Sequence, residues 1–161
     1  MKHVISALVS NQVGVLAHIS SLFSARGYNI NSLNVGETED PAVSRMTIVA
    51  DGDDAVIEQV LKQLRKLINV LKVQDFSDTK YVERDLMLIK VNTPSGRRGE
   101  LIELVDIFRG KVVDISQKDL TVELSGPEAK IDAFVLLCRP YGIKEMVRSG
   151  RIALLRGLRD D

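Results

Sequence analysis

A chain of 161 residues carrying 22 acidic and 22 basic side chains has no net charge with which to hold a polyanion, which argues against a nucleic-acid partner. Its single cysteine, Cys138, excludes an internal disulfide and a paired-cysteine metal or redox site, and fits a reducing compartment. With 45% hydrophobic residues, only 4 prolines, no leader-like start and no apolar run near the ~20 residues that span a bilayer, the expectation is a folded, cytoplasmic protein without a membrane partner.

In chain order, Val4 to Val9 form a short apolar strand that ends in Ser10-Asn11-Gln12. Val15, Ile19, Leu22 and Phe23, with Leu16 beside them, recur at helical spacing, and Gly27 stands where a C-terminal cap belongs. Residues 30–38 read as a strand with Leu33 and Val35 on one face and Ile30, Ser32 and Asn34 on the other. After the turn Glu39-Asp40-Pro41, residues 43–50 supply a second strand, so the two predict a hairpin. Asp51-Gly52-Asp53-Asp54 starts a helix whose apolar stripe is Ile57, Val60, Leu61, Leu64 and Ile68, with Glu58, Lys62 and Lys66 facing outward. A strand at about 70–76 completes strand, helix, strand, strand, helix, strand, the ferredoxin-like order of an antiparallel sheet covered by two helices on one face.

The second half repeats that order. A strand over 85–92 leads through Thr93 to Gly99 into a helix striped by Leu101, Leu104, Val105 and Phe108, which stops at Gly110. Strands over 111–116 and 119–125 follow, then a helix that buries Ile131, Phe134, Val135 and Cys138 and ends at Pro140. A last strand is expected over 143–148, and Ile152 to Leu155 form an apolar tail that must cover something. The chain therefore reads as two α+β domains, residues 1–76 and 85–161, joined by a linker at 77–84. Each is small enough to lean on a partner, so a homodimer or larger even assembly is expected.

Few residues offer chemistry. His3 and His18 have no metal-ligand spacing to a Cys, Asp or second His, and packing or surface roles suit both. Cys138 sits in phase with a core stripe and reads as an inert thiol. The acidic residues at 37–40 and 51–54 suit turns and helix starts. Gly96-Arg97-Arg98-Gly99 allows either an anion site or a helix start that docks a partner, without a phosphate-loop motif to decide. The sharper feature is Asn11-Gln12-Val13-Gly14-Val15-Leu16, which joins a strand directly to a helix whose free N–H groups can receive a carboxylate. Asn11 and Asn29 each carry a carboxamide suited to an amino acid's charged groups, although a purely structural turn fits the same residues.

Asn11 through Leu16, Leu22 through Ile30 and Ser44 through Ile48 together resemble the small regulatory subunit of acetohydroxyacid synthase, also called acetolactate synthase. Glu83-Arg84-Asp85, Phe108-Arg109-Gly110 and Arg148-Ser149-Gly150 extend the resemblance over nearly the whole chain. It implies an amino-acid-sensing ACT domain followed by a second ferredoxin-like domain, with no catalysis, cofactor or metal in this chain. It implies a catalytic large subunit that holds thiamine diphosphate and magnesium and that the small subunit activates and makes sensitive to valine or another branched-chain amino acid. The resemblance places that effector between two ACT domains of a dimer, with Asn11, Val13, Gly14, Val15 and Leu16 on one side and Asn29 and Ile30 across or beside the interface. An ACT-domain sensor serving a different amino-acid enzyme is the alternative.

Overall fold

The computed structural model describes residues 2–157. In chain order the elements are β1 (Lys2–Ser10), α1 (Val15–Ala25), β2 (Asn29–Glu37), β3 (Val43–Asp51), α2 (Asp54–Arg65), β4 (Val70–Asp75) and β5 (Tyr81–Asn92). There follow α3 (Arg98–Ile107), β6 (Lys111–Ile115), β7 (Asp119–Gly126), α4 (Glu128–Cys138), a 3-10 turn at Arg139–Tyr141, β8 (Ile143–Arg148) and β9 (Ile152–Leu155). They build two compact units, the first running to Val82 and resuming at Arg151, the second spanning Glu83–Gly150. Each carries an antiparallel sheet with its helices on one face, as the element order predicts.

In the first unit the strand order is β2-β3-β1-β4. Alternation along β1 sends Ile5, Ala7 and Val9 into the core with Val15, Ile19 and Phe23 of α1 and Ile57, Val60, Leu61 and Leu64 of α2. The α2 start is fixed by Asp53, whose Oδ1 accepts from the Ala55 N–H at 3.0 Å, the capping role its sequence position suggests. Ile68 departs from the expected stripe: α2 ends at Arg65, Ile68 stands 95% exposed, and Leu67 packs on the core instead. The expected faces of β2 also change. The register slips between Ile30 and Ser32, so Ile30 joins Leu33 against the helices instead of sharing a face with Ser32 and Asn34. One extra residue at a bulge reverses the phase of a period-two pattern.

The C-terminal segment lies elsewhere than the sequence suggests. Residues 151–157 return to the first unit, where β9 pairs with β5 and the Arg156 N–H donates to the Lys80 carbonyl at 3.0 Å. Ala153 there is buried with Val4, Val49 and Phe76 on the sheet face without helices, flanked by Tyr81 and Leu155. Those apolar side chains alternate out of the sheet opposite the main core and need a cover, which the tail supplies. Strand β5 accordingly begins at Tyr81, inside the expected linker.

The second unit repeats the order as β6-β7-β5-β8. Met87, Ile89 and Val91 of β5 pack with Leu120, Val122 and Leu124 of β7, Leu101 and Val105 of α3, and Ile131, Phe134 and Cys138 of α4. Helix α3 closes with Arg109 in the left-handed region, φ 57°. Gly110 follows because a Cβ there would stand 3.2 Å from the Glu123 carbonyl oxygen. A buried carboxylate, Asp85, is held by Arg148 at 2.6 Å from Nη2 and 2.8 Å from Nε, and the same guanidinium reaches Asp132 at 2.7 Å.

Candidate functional site

The turn between β1 and α1 is built around Gly14, at φ 88° and ψ −11°, a backbone conformation costly for any residue with a Cβ. It delivers the chain into α1 with no side-chain cap and no acidic residue in the first turn, which leaves the helix N-terminus electropositive and open to an anion. The Asn11 backbone N–H is anchored on the Ala42 carbonyl at 2.8 Å. The Asn11 side-chain nitrogen donates to Glu37 Oε1 at 3.1 Å and to the Pro41 carbonyl at 2.9 Å. Both amide hydrogens are thereby committed to the β2–β3 hairpin, and its carbonyl oxygen is the group that remains for a donor such as an ammonium. Val13 is fully exposed and Leu16 is 45% exposed, so apolar surface borders the turn. The Val15 side chain, by contrast, is buried in the core, leaving its backbone as the part that faces the turn.

The other two predicted residues lie at the opposite end of the sheet. Asn29 pairs with Asp51, which pairs with Lys2, whereas Glu37 and Ser44 sit beside the end of β1 at Val9 and Ser10. Eight residues of extended strand separate Asn29 from Glu37, roughly 26 Å at a strand rise of ~3.3 Å. Within one chain the turn and Asn29 cannot hold the same small molecule. The Ile30 side chain packs on the core of its own unit.

The remaining candidates resolve into structure. Arg97 forms an ion pair with Glu100 at 3.0 Å and stacks 4.4 Å over the Tyr141 ring, while Arg98 donates to Thr93 Oγ1 and the Ser116 carbonyl. Those contacts favour the helix start over an anion site for the glycine-flanked pair. Burial pushes the Cys138 thiol up to about 12, so it stays protonated and unreactive. His18 is exposed. His3 is buried between two carboxylates, with Nδ1 2.7 Å from Asp75 Oδ2 and Nε2 3.0 Å from Asp54 Oδ1. The desolvation that raises the Asp75 pKa is outweighed by hydrogen bonds from Ser77 and His3, so it lies below the ordinary value. Sequence spacing did not expose this cluster or the partners of Asn11, since each joins residues brought together by sheet pairing.

Two family models divide the chain between them. The model described as the small-subunit-like ACT domain of AHAS matches residues 5–72, and the one described as the small subunit of acetolactate synthase matches residues 84–157. The acetolactate synthase small subunit of Aquifex aeolicus is 54% identical over 96% of this chain and 81% of its own length. The chain belongs to the acetolactate synthase small-subunit family.

The probable acetolactate synthase small subunit of Archaeoglobus fulgidus is 52% identical over 98% of both chains. A crystal structure of the Thermotoga maritima acetolactate synthase small subunit superposes with a TM-score of 0.88 at 39% identity, covering 99% of each chain. The first unit is thus an ACT domain of the small-subunit type, followed by the second domain of the same family. Among the described residues, no helix is long and apolar enough to cross a membrane.

Proposed function

We propose that this chain is the non-catalytic regulatory subunit of acetolactate synthase, which activates a thiamine-diphosphate- and magnesium-dependent large subunit and confers feedback by valine or another branched-chain amino acid. The observation that carries the reading is the separation of the Asn11–Leu16 turn from Asn29 along β2. Strand β2 is an edge of its sheet, and between Asn29 and Gly36 it carries no charged residue or proline, its bulge at Asn31 being confined to one end. If two copies pair antiparallel through β2 about a two-fold axis, Asn29 of one comes beside Glu37 of the other, and so beside the turn containing Gly14. The effector's carboxylate then meets the open N-terminus of α1, its ammonium meets carboxamide oxygen, and Val13 and Leu16 offer apolar surface to its side chain. Both Asn29 and the turn are needed, so the site exists only in the dimer.

Effector binding acts on activity only if it favours one arrangement of the dimer that couples differently to the large subunit. The test is reconstitution with a cognate large subunit, following acetolactate formation with and without valine, leucine and isoleucine. Stimulation by the chain and inhibition that requires it are expected. Unchanged activity in every condition sinks the proposal, as does a chain that remains monomeric at micromolar concentration with full effector response.

A further inference from the structure

The helix-free face of the first sheet is only partly covered by β9. Beyond Val4, Val49 and Phe76 it continues as two rows defined by strand pairing: Thr47, Ser6 and Gln74, then Arg45, Leu8 and Lys72. Together with Leu154 and Leu155 of β9, this surface encloses a pocket of about 220 Å³. Its floor at Leu8 lies between two cations, since Leu8 pairs with Arg45 on one side and with Lys72 on the other. Among the described residues no carboxylate lines it. Arg45 spends Nη1 on Ser6 Oγ at 2.9 Å, a contact that sets the fork over the pocket without neutralising it.

We propose that this pocket is a second ligand site, for a short aliphatic monocarboxylate that lacks an ammonium group. An arginine fork and a lysine beside the same apolar floor match a carboxylate in charge and geometry. Phe76, Leu154 and Leu155 form an apolar wall, which favours an aliphatic body over inorganic phosphate. The volume is below that of drug-sized pockets and suits a ligand of a few carbons. An amino acid is disfavoured, because its ammonium would be brought between two cations with no anionic partner. The site therefore differs in chemistry and place from the Gly14 turn, which lies between β1 and α1.

The probe is 4-methylpentanoate titrated into the full-length chain, followed by backbone amide NMR. Shifts are expected at Leu8, Gln74, Phe76 and Leu155, with 4-methylpentanamide, leucine and phosphate each at least tenfold weaker. Arg45→Gln should weaken the carboxylate at least tenfold, and Lys72→Gln, on an exposed edge position, at least threefold while the fold and valine binding stay unchanged. Equal affinity for acid and amide, shifts confined to other residues, or no saturable binding at millimolar probe overturns the assignment. Carboxylate affinity unchanged in the folded Lys72→Gln chain overturns it even where Arg45→Gln fails to fold.

Discussion

Deleting residues 151–161 should destabilise the first unit, although residues 151–157 lie outside its ferredoxin-like core. The deletion uncovers Val4, Val49 and Phe76, now 2%, 2% and 3% exposed, and removes the strand pairing of β9 with β5. Full exposure of such side chains is worth about 1.5–3 kcal/mol each, and β9 covers only their outward side, so roughly half applies and the loss is about 3 kcal/mol. That is a large fraction of the ~5–15 kcal/mol that holds a domain folded. At a urea dependence of ~1–1.5 kcal/mol per molar for a unit this small, the midpoint should fall by about 2–3 M. Circular dichroism in urea gives the midpoint, and hydrogen exchange over residues 2–10 and 43–51 assigns the transition to this unit. Ala153→Asp, which puts a charge into the same buried layer at full chain length, should act in the same direction. Ile152→Ser, at a half-exposed position on the same strand, should stay within about 0.5 kcal/mol of the parent. If the deletion leaves midpoint and exchange unchanged, β9 does not cover that face in solution. A truncation after the linker suffers the same uncovering, so loss of feedback in such a chain speaks for the second unit only if residues 151–157 are retained in trans or by fusion.

Gly14→Asp should lower valine affinity at least tenfold by calorimetry while leaving activation within about twofold. A Cβ there meets nothing within 4 Å, so the effect comes from the left-handed backbone and from a like charge beside the effector's carboxylate. Arg148→Gln removes the guanidinium from the buried Asp85 carboxylate, leaving it the Ser149 hydroxyl at 3.4 Å, and should cost the second unit about 3 kcal/mol in urea unfolding. Adding Asp85→Asn to that variant should recover part of the loss, and an additive double mutant would contradict the pairing. The folded-state pKa of Asp75 is lowered, so its contribution is present above the ordinary carboxylate pKa and is lost as pH falls through the folded value. Asp75→Asn should therefore lower the urea midpoint at pH 7, with the gap to the parent closing in acid. A gap independent of pH would place the effect elsewhere.

The sequence shows both sheets and their helices, because hydrophobic periods of two and 3.6 mark strand and helix faces wherever one side is buried. It marked the Gly14 turn, since a glycine between a strand and an uncapped helix is a local signal, and the family motifs lie largely in such local stretches. Tertiary structure alone decided the bulge that turns Ile30 inward, because one unpaired residue on β2 reverses alternation without leaving a mark in composition. It decided where Ile152 to Leu155 go: a short apolar run states that it needs a cover, but hydrophobic attraction is non-directional and names no destination. It also separated Asn11 from Asn29 by the length of a strand, a distance fixed by antiparallel pairing between residues far apart in the chain.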